Sequence, residues 1–129
     1  MTSLLSPADE RFVSLTTFRR SGVAVSTPVW IASDGDGLIV TTPVASGKVK
    51  RLRNNPRVQL QACSRMGKVA AGAEVFIGEA EILADDAMVE RFGQVFLAKY
   101  HLEYSIFLWI ERRAKSGQAK RVMLRITPA

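Results

Sequence analysis

The chain contains one cysteine, Cys63, so no internal disulfide can form and a disulfide-stapled secreted scaffold is excluded. Its one histidine, His101, reads as a helix-terminal cation rather than a base, and Cys63 has no second Cys and no nearby His, so no metal site and no catalytic pair is expected. Apolar runs are short. The longest strong one, Ile106-Phe107-Leu108-Trp109-Ile110, falls far below the roughly 20 residues of a membrane-spanning helix. The opening Met1-Thr2-Ser3-Leu4-Leu5-Ser6-Pro7 lacks the basic and apolar regions of a secretory signal, and a cytoplasmic protein is expected. There is no GxGxxG for a Rossmann site, and Gly47-Lys48 lacks the upstream glycine and following Ser or Thr of a phosphate-binding P-loop. The most informative absence is of carboxylates. From Gly37 to Ala73 there is no Asp or Glu.

What that window holds instead is seven cations: Lys48, Lys50, Arg51, Arg53, Arg57, Arg65 and Lys68. Residues Glu74 to Glu90 reverse the pattern, with six acids and no Lys or Arg, and Arg112 to Arg125 is basic again. The totals are 18 basic against 12 acidic residues, a net charge of +6. A segregated excess of this kind fits an anionic partner, or a solvated face that keeps the protein dispersed. At 129 residues and 47% hydrophobic, the chain is one domain, 1–129, able to bury about two-thirds of its unfolded surface.

Ser6-Pro7-Ala8-Asp9-Glu10 reads as a capped, short helix. Strands are expected over Phe12 to Arg19 and Val23 to Ala32, where Val23, Val25, Val29 and Ile31 share a face with Thr27 between them. Asp34-Gly35-Asp36-Gly37 turns the chain into a third strand, Leu38 to Thr42, completing an antiparallel meander. Gly47 to Asn54 is a short helix ended by Asn55-Pro56, with Val49 and Leu52 on one face. Arg57 to Cys63 is strand four, Arg65 to Ala73 a flexible loop, and Val75 to Leu83 strand five, with Gly78 marking a bulge or bend. Asp85 to Tyr100 is the strongest helix, Tyr104 to Arg113 a second apolar one, and Gln118 to Thr127 the sixth strand. Strands dominate and helices come late, the order of a mainly β, antiparallel barrel.

Two stretches stand out as candidate sites. Thr41-Thr42-Pro43-Val44-Ala45-Ser46-Gly47-Lys48 joins a strand to a helix start, where free N–H groups and the helix dipole attract phosphate. Gly47 permits close approach, Ser46 can cap or donate, and Lys48 and Arg51 lie one turn apart. The alternative is a capped helix with an exposed basic face. Pro28 is the second anomaly: it removes a ladder donor, so its stretch must be an edge or a bulge. Thr27, Val29 and Trp30 beside it either present backbone and ring to a flat conjugated ligand, or form a core tryptophan next to an edge proline.

Thr27-Pro28-Val29-Trp30, followed by Thr41-Thr42 and Ser46-Gly47-Lys48-Val49-Lys50-Arg51-Leu52-Arg53-Asn54-Asn55-Pro56-Arg57-Val58, resembles the pyridoxamine 5′-phosphate oxidase-like split-barrel flavin and deazaflavin oxidoreductases. Within them the likeness is strongest to the actinobacterial branch that uses coenzyme F420; Cys63, Arg65, Gly67 and Lys99-Tyr100 also match that branch. The resemblance spans Phe12 to Ile126. It implies a six-stranded antiparallel split β-barrel with a few short helices, forming a homodimer with cofactor sites in its grooves. It further implies that Lys48 and its neighbours Ser46 and Arg51 hold the cofactor phosphate, and that Thr27 to Trp30 lie along the tricyclic ring. The implied cofactor is F420, with FMN as the alternative, and Arg19 and Arg20 are partial substitutes for the additional basic residues of FMN-binding members.

The implied activity is hydride transfer from reduced F420 to a small-molecule acceptor, with Tyr104, Phe107 and Trp109 bordering the acceptor pocket. A carrier of F420, FMN or a tetrapyrrole would use the same binding residues. A nucleic-acid binder is disfavoured, because the Gly37–Ala73 window holds no Phe, Tyr or Trp to stack on bases. Arg112 to Arg125 has no assigned role at this level.

Overall fold

The computed structural model describes residues 10–34, 37–100 and 121–128. Within them the chain forms β1 (Phe12–Phe18), β2 (Ala24–Asp34), β3 (Gly37–Pro43), α1 (Gly47–Asn54), β4 (Arg57–Ala62), β5 (Phe76–Leu83), α2 (Asp86–Tyr100) and β6 (Arg121–Pro128). The six strands close into an antiparallel barrel in the order β1-β2-β3-β6-β5-β4, with β4 returning to pair with β1. The expected mainly β split barrel with short helices is the observed architecture. The expected N-terminal helix and the helix over Tyr104 to Arg113 lie outside the described residues. No helix among the described residues is long and apolar enough to cross a membrane.

Period-two alternation builds the interior. Val13, Leu15, Val29, Ile31, Leu38, Val40, Val58, Leu60, Leu124 and Ile126 form one buried cluster, which Leu52 of α1 joins. Each fully buried aliphatic side chain contributes about 1.5–3 kcal/mol by leaving water. A second cluster lies outside the barrel, where α2 lays Phe92, Phe96 and Tyr100 over Ala32, Ile39 and Met123. The i, i+4, i+8 spacing of those aromatics puts them on one helical face. Asp85 caps α2 by accepting from the N–H groups of Ala87 and Met88.

Gly78 differs from expectation. It sits in continuous register between Val58 of β4 and Pro128 of β6, with no bulge. A Cβ there would lie 2.6 Å from the Thr127 carbonyl oxygen and 3.0 Å from Ile126 Cγ2, so glycine is needed for close backbone approach. Gly78→Ala is expected to cost about 1–3 kcal/mol, because the clash is with backbone that cannot rotate away. Urea denaturation measures this, and a variant as stable as the parent would contradict the packing described.

Candidate functional site

The barrel parts at one seam. β2 pairs with β1 along Ala24 to Trp30, but with β3 only along Ile31 to Asp34. β3 in turn pairs with β6 through Thr41, Thr42 and Pro43, where it has no β2 partner. Ala24–Trp30 and Thr41–Pro43 are therefore two strand edges diverging from Ile31 and Val40. Pro28 falls within the first edge without a bulge, since Ser14 opposite it keeps the register. A residue with no N–H costs least where one side of the strand has no neighbour. The loop after β4 passes beside the proline ring, which stays exposed: a Cβ on Gly67, at φ +90°, would stand 3.4 Å from Pro28 Cδ.

The second edge runs directly into α1. Ser46 N donates to Pro43 O at 3.1 Å, tightening the turn, and Ser46 is the N-cap. Its Oγ accepts from Val49 N at 3.4 Å and from Thr42 Oγ1 at 3.2 Å. Those contacts leave the N–H groups of Gly47 and Lys48 with no acceptor among the described residues. The first turn of α1 carries no acid. Val49 and Leu52 are buried, which anchors the helix and fixes where its N-terminus stands.

Three cations gather at this helix start. Arg51 Nε donates to the fully buried Thr17 Oγ1 at 2.6 Å, and its guanidinium folds back over Gly47. A Cβ on Gly47 would lie 2.7 Å from Arg51 Nη1, so the absent side chain is what lets the guanidinium rest there. Arg121, from the far end of the sequence, donates Nε to Thr41 Oγ1 at 2.9 Å. Lys48 is half-buried among them. Burial first, then Arg51, then Arg121 push its ammonium below the ordinary lysine range. Arg51 is likewise lowered, by burial and by Arg19. The Nε acceptors of both arginines are neutral hydroxyls.

The residues singled out from sequence fall into two groups. Thr41, Thr42, Ser46, Gly47, Lys48 and Arg51 meet at the helix start. Thr27, Pro28, Val29 and Trp30 lie on the facing edge of β2, with their side chains divided between its two sides. Val29 is buried in the barrel interior. Thr27 Oγ1 is buried with no hydrogen-bond partner among the described residues, a costly state for a hydroxyl. The Trp30 ring stacks on Tyr100, centroids 4.9 Å apart, beneath α2. It is a packed aromatic beside an edge proline.

Sequence reasoning gave no role to Thr17 or Arg121 and noted Tyr100 only within the Lys99-Tyr100 match. Tyr100 Oη accepts from Ile31 N at 3.1 Å and lies 2.7 Å from Arg11 O and 2.9 Å from Ile31 O. Lys99 Nζ donates to Glu10 O and Ile31 O, at 2.7 and 2.6 Å. Together they pin β2 at the residue where it leaves β3. The one available signal for Arg121 was its place in the unexplained second basic block. Tyr104, Phe107 and Trp109 lie outside the described residues. Among those described, no group of three or more His, Cys, Asp or Glu is placed to hold a metal.

The family model for pyridoxamine 5′-phosphate oxidase matches residues 5–129, nearly the whole chain. The chain belongs to the pyridoxamine 5′-phosphate oxidase family. Within this fold it is similar to the conserved protein Rv2991 of Mycobacterium tuberculosis, at 26% identity and a TM-score of 0.70, covering 99% of this chain and 81% of that one. It is similar to an F420 reductase, at 19% identity and a TM-score of 0.64, over 100% and 95% of the two chains. It also resembles the heme storage protein HutZ of Vibrio cholerae, at 16% identity and a TM-score of 0.64, over 95% and 84%. No protein of curated function matches the sequence.

Proposed function

We propose that this chain binds the phosphate of coenzyme F420 at the start of α1 and positions the cofactor to reduce an organic acceptor. The observation that carries the reading is the set of Lys48, Arg51 and Arg121 around an uncapped pair of N–H groups, where the two strand edges diverge. An anionic group fits there: it would accept from the Gly47 and Lys48 N–H groups and meet the cations beside them. When bound, F420 supplies hydride chemistry; the protein's part is binding, orientation and exclusion of water.

Ser46, Gly47, Lys48 and Arg51 are the phosphate-binding residues in this reading, with Thr41 and Thr42 holding them in place. Thr27 to Trp30 offer the β2 edge to the ring system. The functional unit is a homodimer, and the acceptor is a small molecule. FMN is the competing cofactor, since it too carries a phosphate. Side-by-side fluorescence titration decides between them: F420 is expected to bind at least about tenfold more tightly than FMN, an expectation drawn from the Ser-Gly-Lys helix start. Equal or reversed affinities would overturn the assignment.

The likeness to a heme storage protein supports a second reading, a carrier that binds F420, FMN or a tetrapyrrole without turnover. Both readings share every binding residue. Oxidation of reduced F420 in the presence of quinones, enones or biliverdin separates them, and turnover above the protein-free rate favours the reductase.

A further inference from the structure

We infer that the β1–β2 turn and the exposed side of α1 form a docking face for an anionic lipid surface, separate from the helix start and independent of what binds there. Four exposed cations define the face: Arg19 and Arg20 in the turn, Lys50 and Arg53 on the helix. Lys50 and Arg53 are three residues apart and share one side of α1. Asn54 joins the two elements, accepting from Arg20 Nη2 at 3.2 Å and donating to Lys50 O at 3.3 Å. Neither contributing stretch, 11–33 or 37–73, contains an Asp or Glu. None of the four cations makes an ion pair among the described residues. Arg57, over the Phe18 ring, has Glu79 opposite it in register, which limits the positive face on that side.

Two features favour a bilayer over a shaped partner or a nucleic acid. Arg19, Lys50 and Arg53 make no side-chain hydrogen bond among the described residues, so their charges are held to no fixed geometry. Mobile anionic headgroups need none, and each cation near such a surface strengthens binding about fivefold. The second feature is an apolar side chain between the cations. Val23 is 54% exposed, and beside it Gly22, at φ +91°, has open space where a Cβ would stand. Gly22 N donates to Arg19 O at 2.8 Å and Arg19 N to Val23 O at 2.9 Å, so the turn is a closed, projecting tip. An apolar group ringed by cations matches the boundary between headgroups and acyl chains. Single-stranded nucleic acid calls instead for stacking rings, and no aromatic is among the exposed large side chains.

Co-sedimentation of the full chain with vesicles of phosphatidylcholine, alone or with about 30% phosphatidylglycerol, tests the face. At about 50 mM salt the anionic vesicles are expected to bind at least about tenfold more tightly than the neutral ones, a gap that closes near 500 mM. Lys50→Gln combined with Arg53→Gln is expected to weaken anionic-vesicle binding at least about tenfold, with thermal stability unchanged. Val23→Ser should weaken it about threefold and leave the salt dependence as it was. Equal binding to the two vesicles, or a double variant that binds like the wild type, overturns the lipid face. Undiminished binding by Val23→Ser overturns insertion of the turn. A loss in Lys48→Ala as large as in the double variant puts the headgroup at the helix start and overturns the separate site. Tighter binding to a duplex oligonucleotide than to vesicles, at equal phosphate concentration, overturns the choice of lipid.

Discussion

Lys48→Ala is expected to weaken F420 binding at least about tenfold while the barrel remains folded. The side chain supplies a cation beside two free helix N–H groups and takes no part in either hydrophobic cluster. Its loss removes attraction for the anion without opening a cavity in the core. The same substitution should stabilise the ligand-free protein at neutral pH. Burial and the two arginines lower the folded-state pKa of Lys48, so the unfolded chain holds this proton more tightly than the folded one. The charged form then opposes folding at every pH below the folded-state value. That penalty fades as pH climbs from the folded to the unfolded pKa, and is gone above the latter.

Lys48→Ala should therefore exceed the wild type in stability near pH 7, with the difference shrinking towards about pH 10–11. Bound anion acts in the opposite sense, raising wild-type stability more than that of the variant. Fluorescence titration and denaturation at several pH values measure these effects together. An unchanged dissociation constant in Lys48→Ala would sink the phosphate assignment.

Tyr100→Ala carries the largest expected loss of stability, about 3–5 kcal/mol. The ring is buried, stacks on Trp30 and lies 6.1 Å from Phe96, so truncation leaves a cavity under the end of α2. Tyr100→Phe isolates the hydroxyl. It keeps the packing but deprives Ile31 N of its acceptor and the carbonyls of Arg11 and Ile31 of a neighbouring donor. A loss of about 1–3 kcal/mol is expected. The consequence for function lies in where the hydroxyl acts: Ile31 is the last β2 residue paired with β3 before the two strands part. Tyr100→Phe is therefore expected to weaken F420 binding as well, by loosening the β2 edge. Chemical denaturation and cofactor titration on one preparation check both effects. A Phe variant within about 0.5 kcal/mol of the parent would show that the hydroxyl does not hold the seam.

Much of the architecture was legible because strands report themselves locally. Alternation grouped Val29, Ile31, Val58, Leu60, Leu124 and Ile126 on shared faces, and all are buried in the interior cluster, whereas Val23, grouped with Val29 and Ile31, precedes β2 and is 54% exposed. Strand limits differed by a residue or two: β2 runs from Ala24 to Asp34, and β4 stops at Ala62, leaving Cys63 in a single bridge with Val69. The cap of α1 was legible too, since Ser46 and the Val49 N–H that it accepts from are three residues apart. Pro28 correctly signalled an edge. Gly78 was misread because a bulge and a close backbone contact both call for glycine, and only the position of Thr127 separates them. Trp30 was ambiguous for a related reason: an edge strand offers its ring to solvent, to a ligand or to a helix, and Tyr100 is 70 residues further along the chain.

By itself the sequence determined the barrel's inward faces, the capped helix start and the acid-free stretch around it. These follow from interactions reaching no further than one helical turn or one strand repeat. Tertiary structure decided what gathers at that helix start. The contacts of Arg51 with Thr17, Tyr100 with Ile31 and Arg121 with Thr41 span 34, 69 and 80 residues. No local spacing encodes them. They exist because closing the barrel sets β6 beside β3 and lays α1 against β1, bringing like charges together where the burial of Val49 and Leu52 compensates for holding them close.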